Sequence, residues 1–283
     1  MRLHQLRNAT LIIESGPYRI LLDPMLGARH SLPPLRLLRP LQRNPLVDLP
    51  DSAAAALESV THCLLTHCQK GHFDHLDRAG REFLRQRQIP VICTAHDAPY
   101  LQARGLQVQA LPTAHGQPTA FLGGQIRTLP CVHGRGLVGR LMEHGVGYFI
   151  EWPDEPSLYL CGDTLLTPAL RDFIQAHQPE VCVAPAGGAH FDLGGEIIMG
   201  IKELLELRRL SHGQVVANHL QALSHCPVSR QALAAAAHRA GLAQRLLIPE
   251  DGEVLTFAKN GLRTEIQAGR MASLNASASA ATE

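Results

Sequence analysis

The chain has 283 residues, of which 45% are apolar, and a formal net charge of +1, so it can bury a large core as a globular protein. The balanced charge and the aromatic content of 4% argue against a nucleic-acid surface, so we expect a small-molecule substrate. No segment predicts a membrane span, and seven cysteines without a Cys-x-x-Cys pair indicate a reducing cytoplasm. A homo-oligomer is compatible with this composition.

The chain begins with a predicted β-hairpin and an irregular segment. Thr10–Ile13 and Tyr18–Leu22 flank a Ser-Gly-Pro turn, and the second strand ends at Asp23. Residues 25–52 are rich in proline and arginine and show little periodicity. A long irregular segment within a compact domain is usually functional, so we predict a lid-like loop near the mouth of a site.

The densest group of chemically active residues follows the apolar run Cys63-Leu64-Leu65. Such a run, bounded by turn residues, predicts a buried strand whose end opens into a loop. Three histidines and two aspartates lie within eleven residues there: His67, His72, Asp74, His75 and Asp77. Imidazole and carboxylate groups together are what zinc, iron or manganese require, so this loop predicts a metal site.

Later predicted strand ends carry more histidine and aspartate. The strand Gln125–Pro130 leads to His133, and the strand Ser157–Cys161 leads to Gly162-Asp163-Thr164. The strand Val215–Asn218 leads to His219, with His225, six residues later in a loop, as a weaker alternative. Two further residues in glycine-rich loops are candidate substrate contacts: Arg135 and His190.

The rest of the sequence indicates one domain over residues 1–265. Strands and helices alternate, and the clearest amphipathic helix is predicted over residues 196–210. The low-complexity segment 266–283 is predicted to be a disordered tail.

The order of these motifs resembles the metal-binding signature of the metallo-β-lactamase superfamily. Thr66-His67 and the stretch His72-Phe73-Asp74-His75-Leu76-Asp77 match its Thr-His-x-His-x-Asp-His motif, and the opening from Asn8 to Pro24 resembles the branch of ascorbate-6-phosphate lactonase and phospholipase-D-like hydrolases. The resemblance implies an α/β (α+β) fold, a four-layer αβ/βα sandwich with metals at the edge between two sheets. It also implies a ligand set: His67, His72 and His133 on one ion, Asp74, His75 and His219 on the other, and Asp163 between them.

The segment Cys68–Gly71 departs from the family pattern, and two alignments are open. If Asp74-His75 is the anchor, the first histidine position falls on Lys70. If the strand end Thr66 is the anchor, His67 takes that position and the extra residues bulge out. The second alignment is preferred because Gly71 permits the backbone conformations that a bulge needs.

The resemblance implies a metal-dependent hydrolase with two divalent ions, zinc first and manganese or iron as alternatives. A metal-bound hydroxide would attack a small ester, lactone or phosphodiester, with Asp74 and Asp163 as catalytic residues. Asp23 or Asp77 would orient the second nitrogens of the imidazoles. Two alternatives are an iron-dependent oxidoreductase similar to a sulfur dioxygenase and a metal-binding homologue with impaired catalysis.

Overall fold

The computed structural model describes residues 1–36, 38, 41–112, 115–142 and 145–259, together with the backbone of residues 261–267. The strands in these ranges are β1 (Arg2–Arg7), β2 (Thr10–Ser15), β3 (Tyr18–Leu22), β4 (His62–Leu64), β5 (Val91–Thr94), β6 (Val108–Leu111), β7 (Thr119–Phe121), β8 (Gly124–Pro130), β9 (Val146–Glu151), β10 (Leu158–Leu160), β11 (Val181–Pro185), β12 (Gln214–Asn218), β13 (Leu246–Leu247), β14 (Val254–Ala258) and β15 (Gly261–Gln267). The helices are α1 (Ala53–Glu58), α2 (Arg78–Gln86), α3 (Ala98–Gln102), α4 (Gly136–Leu141), α5 (Pro168–His177), α6 (Ile201–Leu210) and α7 (Arg230–Arg239). None of these helices has the length and apolar character needed to cross a lipid bilayer.

The strands form two mixed sheets. The first has the order β15-β14-β1-β2-β3-β4-β5-β6, and the second has the order β13-β12-β11-β10-β9-β8-β7. Strands β3 to β6 are parallel in the first sheet, and strands β10 to β13 are parallel in the second. Since parallel strands end at one edge of a sheet, the residues that follow β4 share an edge, as do those that follow β10 and β12.

The alternation of side chains along the strands separates the buried residues into layers. In β11, Val181 and Val183 pack between the two sheets, whereas Cys182 faces the helices α5, α6 and α7. In β4, Leu64 packs between the sheets and Cys63 faces α1, α2 and α3. One core between the sheets and one outside each sheet give four layers, so the predicted α/β sandwich is confirmed.

The predicted first residue of the clearest amphipathic helix was wrong. It was predicted from residue 196, but α6 begins at Ile201. The backbone N–H of Ile197 donates to the carbonyl of Ala189 at 2.8 Å, and that of Met199 donates to the carbonyl of Thr164 at 3.0 Å. These tertiary bonds hold residues 196–200 as a non-helical segment against the loops that follow β10 and β11, which the 3.6-residue periodicity cannot reveal.

Other differences are smaller. The sequence did not predict β1, β7, α3 or the short helix α4, which occupies most of the glycine-rich loop after His133. Strand β15 runs to Gln267, two residues beyond the predicted end of the domain. The remainder of the predicted tail lies outside the described residues.

Candidate metal centre

The loop after β4 forms the bulge that the preferred alignment requires. Lys70 and Gly71 have positive φ angles of 48° and 88°, so the backbone turns through the left-handed region at these two positions. Lys70 is exposed, whereas His67 is completely buried. The bulge places the ring of His67 4.4 Å from that of His72 between centroids, so His67 lies beside another candidate ligand of the first position.

The first ligand group consists of three buried histidines from two strand ends. One ring nitrogen of each of His67, His72 and His133 lies within 4.8 Å of the others. The opposite nitrogens are fixed by the backbone: His72 Nδ1 donates to the carbonyl of Gln69 at 2.7 Å, and His133 Nδ1 donates to the carbonyl of Ile197 at 2.8 Å. A carbonyl only accepts, so Nδ1 carries the proton and Nε2 keeps a lone pair for a metal.

The chemistry of this group fits a cation. The Nε2 atoms of His67 and His72 are buried and have no hydrogen-bond partner, which is costly unless something binds them. Burial and, to a smaller extent, the neighbouring His75 hold the pKa of His67 well below its ordinary value. Burial likewise lowers the pKa of His133 to about 4. Neutral imidazoles are the form of histidine that binds zinc, manganese or iron.

The second ligand group lies beside the first and adds two carboxylates. Ligand atoms of Asp74, His75, Asp163 and His219 lie within 4.8 Å of one another. Asp163 Oδ2 is the atom that joins the two groups. It lies 3.2 Å from His75 Nε2, 3.5 Å from His219 Nε2 and 3.6 Å from His133 Nε2.

Excess negative charge characterises the second group. Burial would raise the pKa of Asp163, but His219 and His75 hold it well below its ordinary value. Burial would also raise the pKa of Asp74, but His75 and His219 lower it. Burial would lower the pKa values of His75 and His219, but the carboxylates, Asp163 first, raise both. Carboxylates this deeply buried require a compensating positive charge, which a divalent cation or protons on these imidazoles would provide.

Asp23 orients one imidazole in each group. Its Oδ2 accepts from His75 Nδ1 at 2.9 Å and from the hydroxyl of Thr66 at 2.7 Å, and its Oδ1 accepts from the backbone N–H of Thr66 at 2.8 Å. Since the Thr66 proton goes to Asp23, the hydroxyl oxygen accepts from His67 Nδ1, which lies 2.9 Å away. One buried carboxylate therefore sets the tautomers of His75 directly and of His67 through Thr66.

The structure gives Asp77 a different place from the one predicted. Its carboxylate accepts from the backbone N–H of Gly80 at 2.7 Å as the N-cap of α2, and from that of Gly27 at 2.6 Å. Asp77 therefore supports a helix and the segment 25–52 instead of an imidazole. Buried Arg7 holds the same segment by donating to the carbonyls of Met25, Gly27 and Val47.

Three supporting residues escaped the sequence analysis. Cys226 Sγ lies 3.4 Å from His219 Nδ1, and although burial would raise the pKa of the thiol, His225 and His219 lower it to about 7. Gly145 faces His67 so closely that an added Cβ would lie 2.8 Å from the Cβ of His67. The third is Ile197, whose carbonyl lies in the segment predicted as helix. The nearness of Cys226 to His219 in the sequence is a weak signal of their contact. No feature of the sequence indicates the contacts of Gly145 and Ile197.

The two candidate substrate contacts lie outside both ligand groups. His190 is partly exposed, and its Nδ1 lies 3.1 Å from the carbonyl of Gly188. Arg135 is exposed, at the N-terminus of α4, and lies 3.4 Å from Glu203. Their role in substrate binding stays a prediction.

Comparisons with known proteins agree with this fold. The family model of the Beta-lactamase superfamily domain matches residues 18–243. The UPF0173 protein YddR of Bacillus subtilis is 32% identical over 262 residues, covering 91% of this chain and 100% of its own length. The chain therefore belongs to the beta-lactamase superfamily, within its UPF0173 group. A UPF0173 metal-dependent hydrolase of Agrobacterium fabrum is 26% identical and covers 70% of this chain and 77% of its own length.

Two solved structures are similar over nearly the whole chain. The isothiocyanate hydrolase from Delia radicum gut bacteria has a TM-score of 0.82 and 29% identity, covering 92% of this chain and 100% of its own. A possible metal-dependent hydrolase from Veillonella parvula has a TM-score of 0.82 and 25% identity, covering 91% and 99%. None of these four proteins is named as a lactonase or phospholipase, so the resemblance to that branch stays a prediction.

Proposed function

We propose that this protein is a hydrolase that uses two divalent metal ions, with zinc as the first choice. The single observation that carries the proposal is the pair of adjacent ligand groups joined by Asp163 Oδ2. His67, His72 and His133 would hold one ion, and Asp74, His75 and His219 would hold the other. Such ions supply Lewis acidity and lower the pKa of a shared water molecule towards neutrality.

The side chains around the ions have distinct tasks. Asp163 would connect the two positions, because its Oδ2 lies 3.2 Å from His75 Nε2 in one group and 3.6 Å from His133 Nε2 in the other. Asp74 contacts His219 Nε2 through Oδ2 at 3.4 Å, and its carboxylate would accept the proton released when water attacks the substrate. In the metal-free protein, His75 and His219 lower the pKa of Asp74 against the effect of burial, so the carboxylate is ionised near neutral pH.

The substrate is a small electrophile, and two groups of compounds are candidates. Small esters, lactones and phosphodiesters follow from the sequence motifs. Isothiocyanates follow from the similarity to a structure named as an isothiocyanate hydrolase, which extends over 92% of this chain. Addition of one water across the C=N bond of an isothiocyanate gives a thiocarbamic acid, which breaks down to the amine and carbonyl sulfide.

A hydrolysis assay tests this proposal. Protein reconstituted with zinc, manganese or iron is offered an isothiocyanate, a lactone, a carboxylic ester and a phosphodiester. We expect turnover of at least one substrate, loss of turnover with a chelator, and a decrease of at least about 100-fold in Asp74→Asn. Asp172→Asn, an exposed aspartate on α5, serves as the matched control and should retain wild-type activity. Equal activity in the wild type and Asp74→Asn would contradict the role of Asp74, and oxygen-dependent turnover only with iron would favour the oxidoreductase alternative.

A further inference from the structure

The exposed large hydrophobic side chains come from three short segments of the described chain. Among the residues that the structure describes, every one of them lies near residue 40, between residues 132 and 141, or at residue 193. They are Leu38, Leu41, Val132, Leu137, Leu141 and Leu193. Four of these, Leu38, Leu137, Leu141 and Leu193, are between 70% and 77% exposed. We call these four side chains the apolar rim.

The segments that carry the rim are joined to each other. The backbone N–H of Leu38 donates to Asp192 Oδ2 at 3.0 Å, and Asp192 directly precedes Leu193. Gly194 packs against α4, because a Cβ added there would lie 2.9 Å from Cγ2 of Val138. Contacts of neighbouring residues therefore bring the segments of the four leucines together from distant parts of the sequence.

Two of the segments that carry the rim also contain a candidate metal ligand or the residue that orients it. Val132 and Leu137 are on either side of His133 in the chain, and Ile197, which orients His133, is four residues after Leu193. Leu137 and Leu141 are one turn apart on α4 and so share a face, while Val138 packs into the buried cluster that includes Cys226.

The charged side chains beside the rim are mostly paired. Arg36 lies 3.4 Å from Asp192, and Arg135 lies 3.4 Å from Glu203. Solvent-exposed leucines on one surface are unfavourable in water and indicate a site that binds an apolar group. Because the segments that carry these leucines also contain His133 and Ile197, which orients it, we infer that the occupant is part of the molecule that reacts at the metal centre.

We propose that the apolar rim binds the hydrophobic substituent of the substrate, so the protein acts on electrophiles that carry an alkyl or aryl group. This inference rests on the proposed function, because it takes the two ligand groups as the place where the reactive end binds. Selectivity then increases with the length of the substituent and depends on the leucines of α4 and of the segment around residue 193.

The test measures binding instead of turnover. A series of alkyl hydroxamates, from acetohydroxamate to octanohydroxamate, joins one metal-chelating end to tails of increasing length. Isothermal titration calorimetry with the zinc-loaded protein should show affinity rising by about two- to fourfold per added methylene, the upper value being full burial. In the double variant Leu137→Ser with Leu193→Ser, this dependence on tail length should flatten, and the corresponding double methionine variant should restore it.

Each outcome decides the inference. A wild-type affinity that is independent of tail length overturns it, even if the protein hydrolyses short substrates. Tighter binding of a tail that ends in a carboxylate would overturn it in favour of recognition by Arg140, which is exposed on α4. A wild-type dimer that becomes a monomer in the double serine variant, with an unchanged dependence on tail length, would show that the rim joins two copies of the chain. Absence of hydroxamate binding at every length, including acetohydroxamate, would contradict the metal site and with it both proposals.

Discussion

Replacing Asp23 with asparagine should weaken metal binding at both positions without any change to a metal ligand. Asp23 Oδ2 accepts two hydrogen bonds, from His75 Nδ1 and from the Thr66 hydroxyl. An amide nitrogen at this place can only donate. The proton of His75 would then move to Nε2, and the Thr66 hydroxyl would donate to His67, which moves the proton of that imidazole to Nε2 as well. If the amide is turned the other way, its nitrogen faces the backbone N–H of Thr66, which is also a donor.

The expected size of the effect follows from these contacts. Loss of a partner that orients a metal-binding histidine typically costs about 10–100-fold in affinity, or about 1.4–2.7 kcal/mol, at each position. The metal-free protein should also lose about 1–3 kcal/mol of unfolding free energy, because a buried charged acceptor is removed. Competition with a fluorescent chelator measures the affinities, and urea denaturation measures the stability.

Asp77→Asn is the matched control. Asp77 is equally buried and also accepts from two donors, but both are backbone N–H groups, of Gly27 and Gly80. We expect a comparable loss of stability and less than about a twofold change in metal affinity. Equal losses of metal affinity in both variants, or unchanged affinity in Asp23→Asn, would refute the tautomer argument.

Three further predictions concern the surroundings of the ligands. Gly145→Ala should displace the imidazole of His67, lower the unfolding free energy by about 1–3 kcal/mol in urea denaturation and reduce the metal content. Gly195→Ala, which has open space around the added methyl group, should change neither the unfolding free energy nor the metal content. Cys226→Val should lower the affinity of the second position about tenfold in a chelator competition, and Cys226→Ser, which keeps a hydrogen-bonding atom beside His219, should lower it less; a larger loss in the serine variant would contradict this role. The raised pKa values of His75 and His219 mean that protons stay bound up to a higher pH in the metal-free protein, so protons compete with the second ion as the pH falls. Lowering the pH from about 8 to about 6 should therefore remove the second-position metal first, as measured by metal content after dialysis; simultaneous loss from both positions would contradict it.

Much of the candidate site could be predicted because each of its residues follows a strand with a readable apolar pattern. His67, His133, Asp163 and His219 come within three residues of the ends of β4, β8, β10 and β12. The order of these motifs was informative, since it related segments that are far apart in the chain. The four layers followed from the family resemblance, and the alternation within the strands agrees with them.

The supporting contacts could not be predicted, because they depend on backbone atoms and on distant packing. Any residue has a carbonyl like that of Ile197, and the helical periodicity of residues 196–210 masked the non-helical segment that places it. Asp77 shows the opposite error. Its position in a metal motif suggested an imidazole partner, but a residue directly before a helix is also a strong N-cap candidate, and the cap is what the structure contains.

The most direct test of the account is the metal content of the protein purified without chelator, for the wild type, His67→Ala and His219→Ala. Elemental analysis should find about two divalent ions per wild-type chain and about one in each variant, because each histidine belongs to a different ligand group. One ion in all three proteins would contradict the dinuclear site, since removing a ligand from either group would then have no effect.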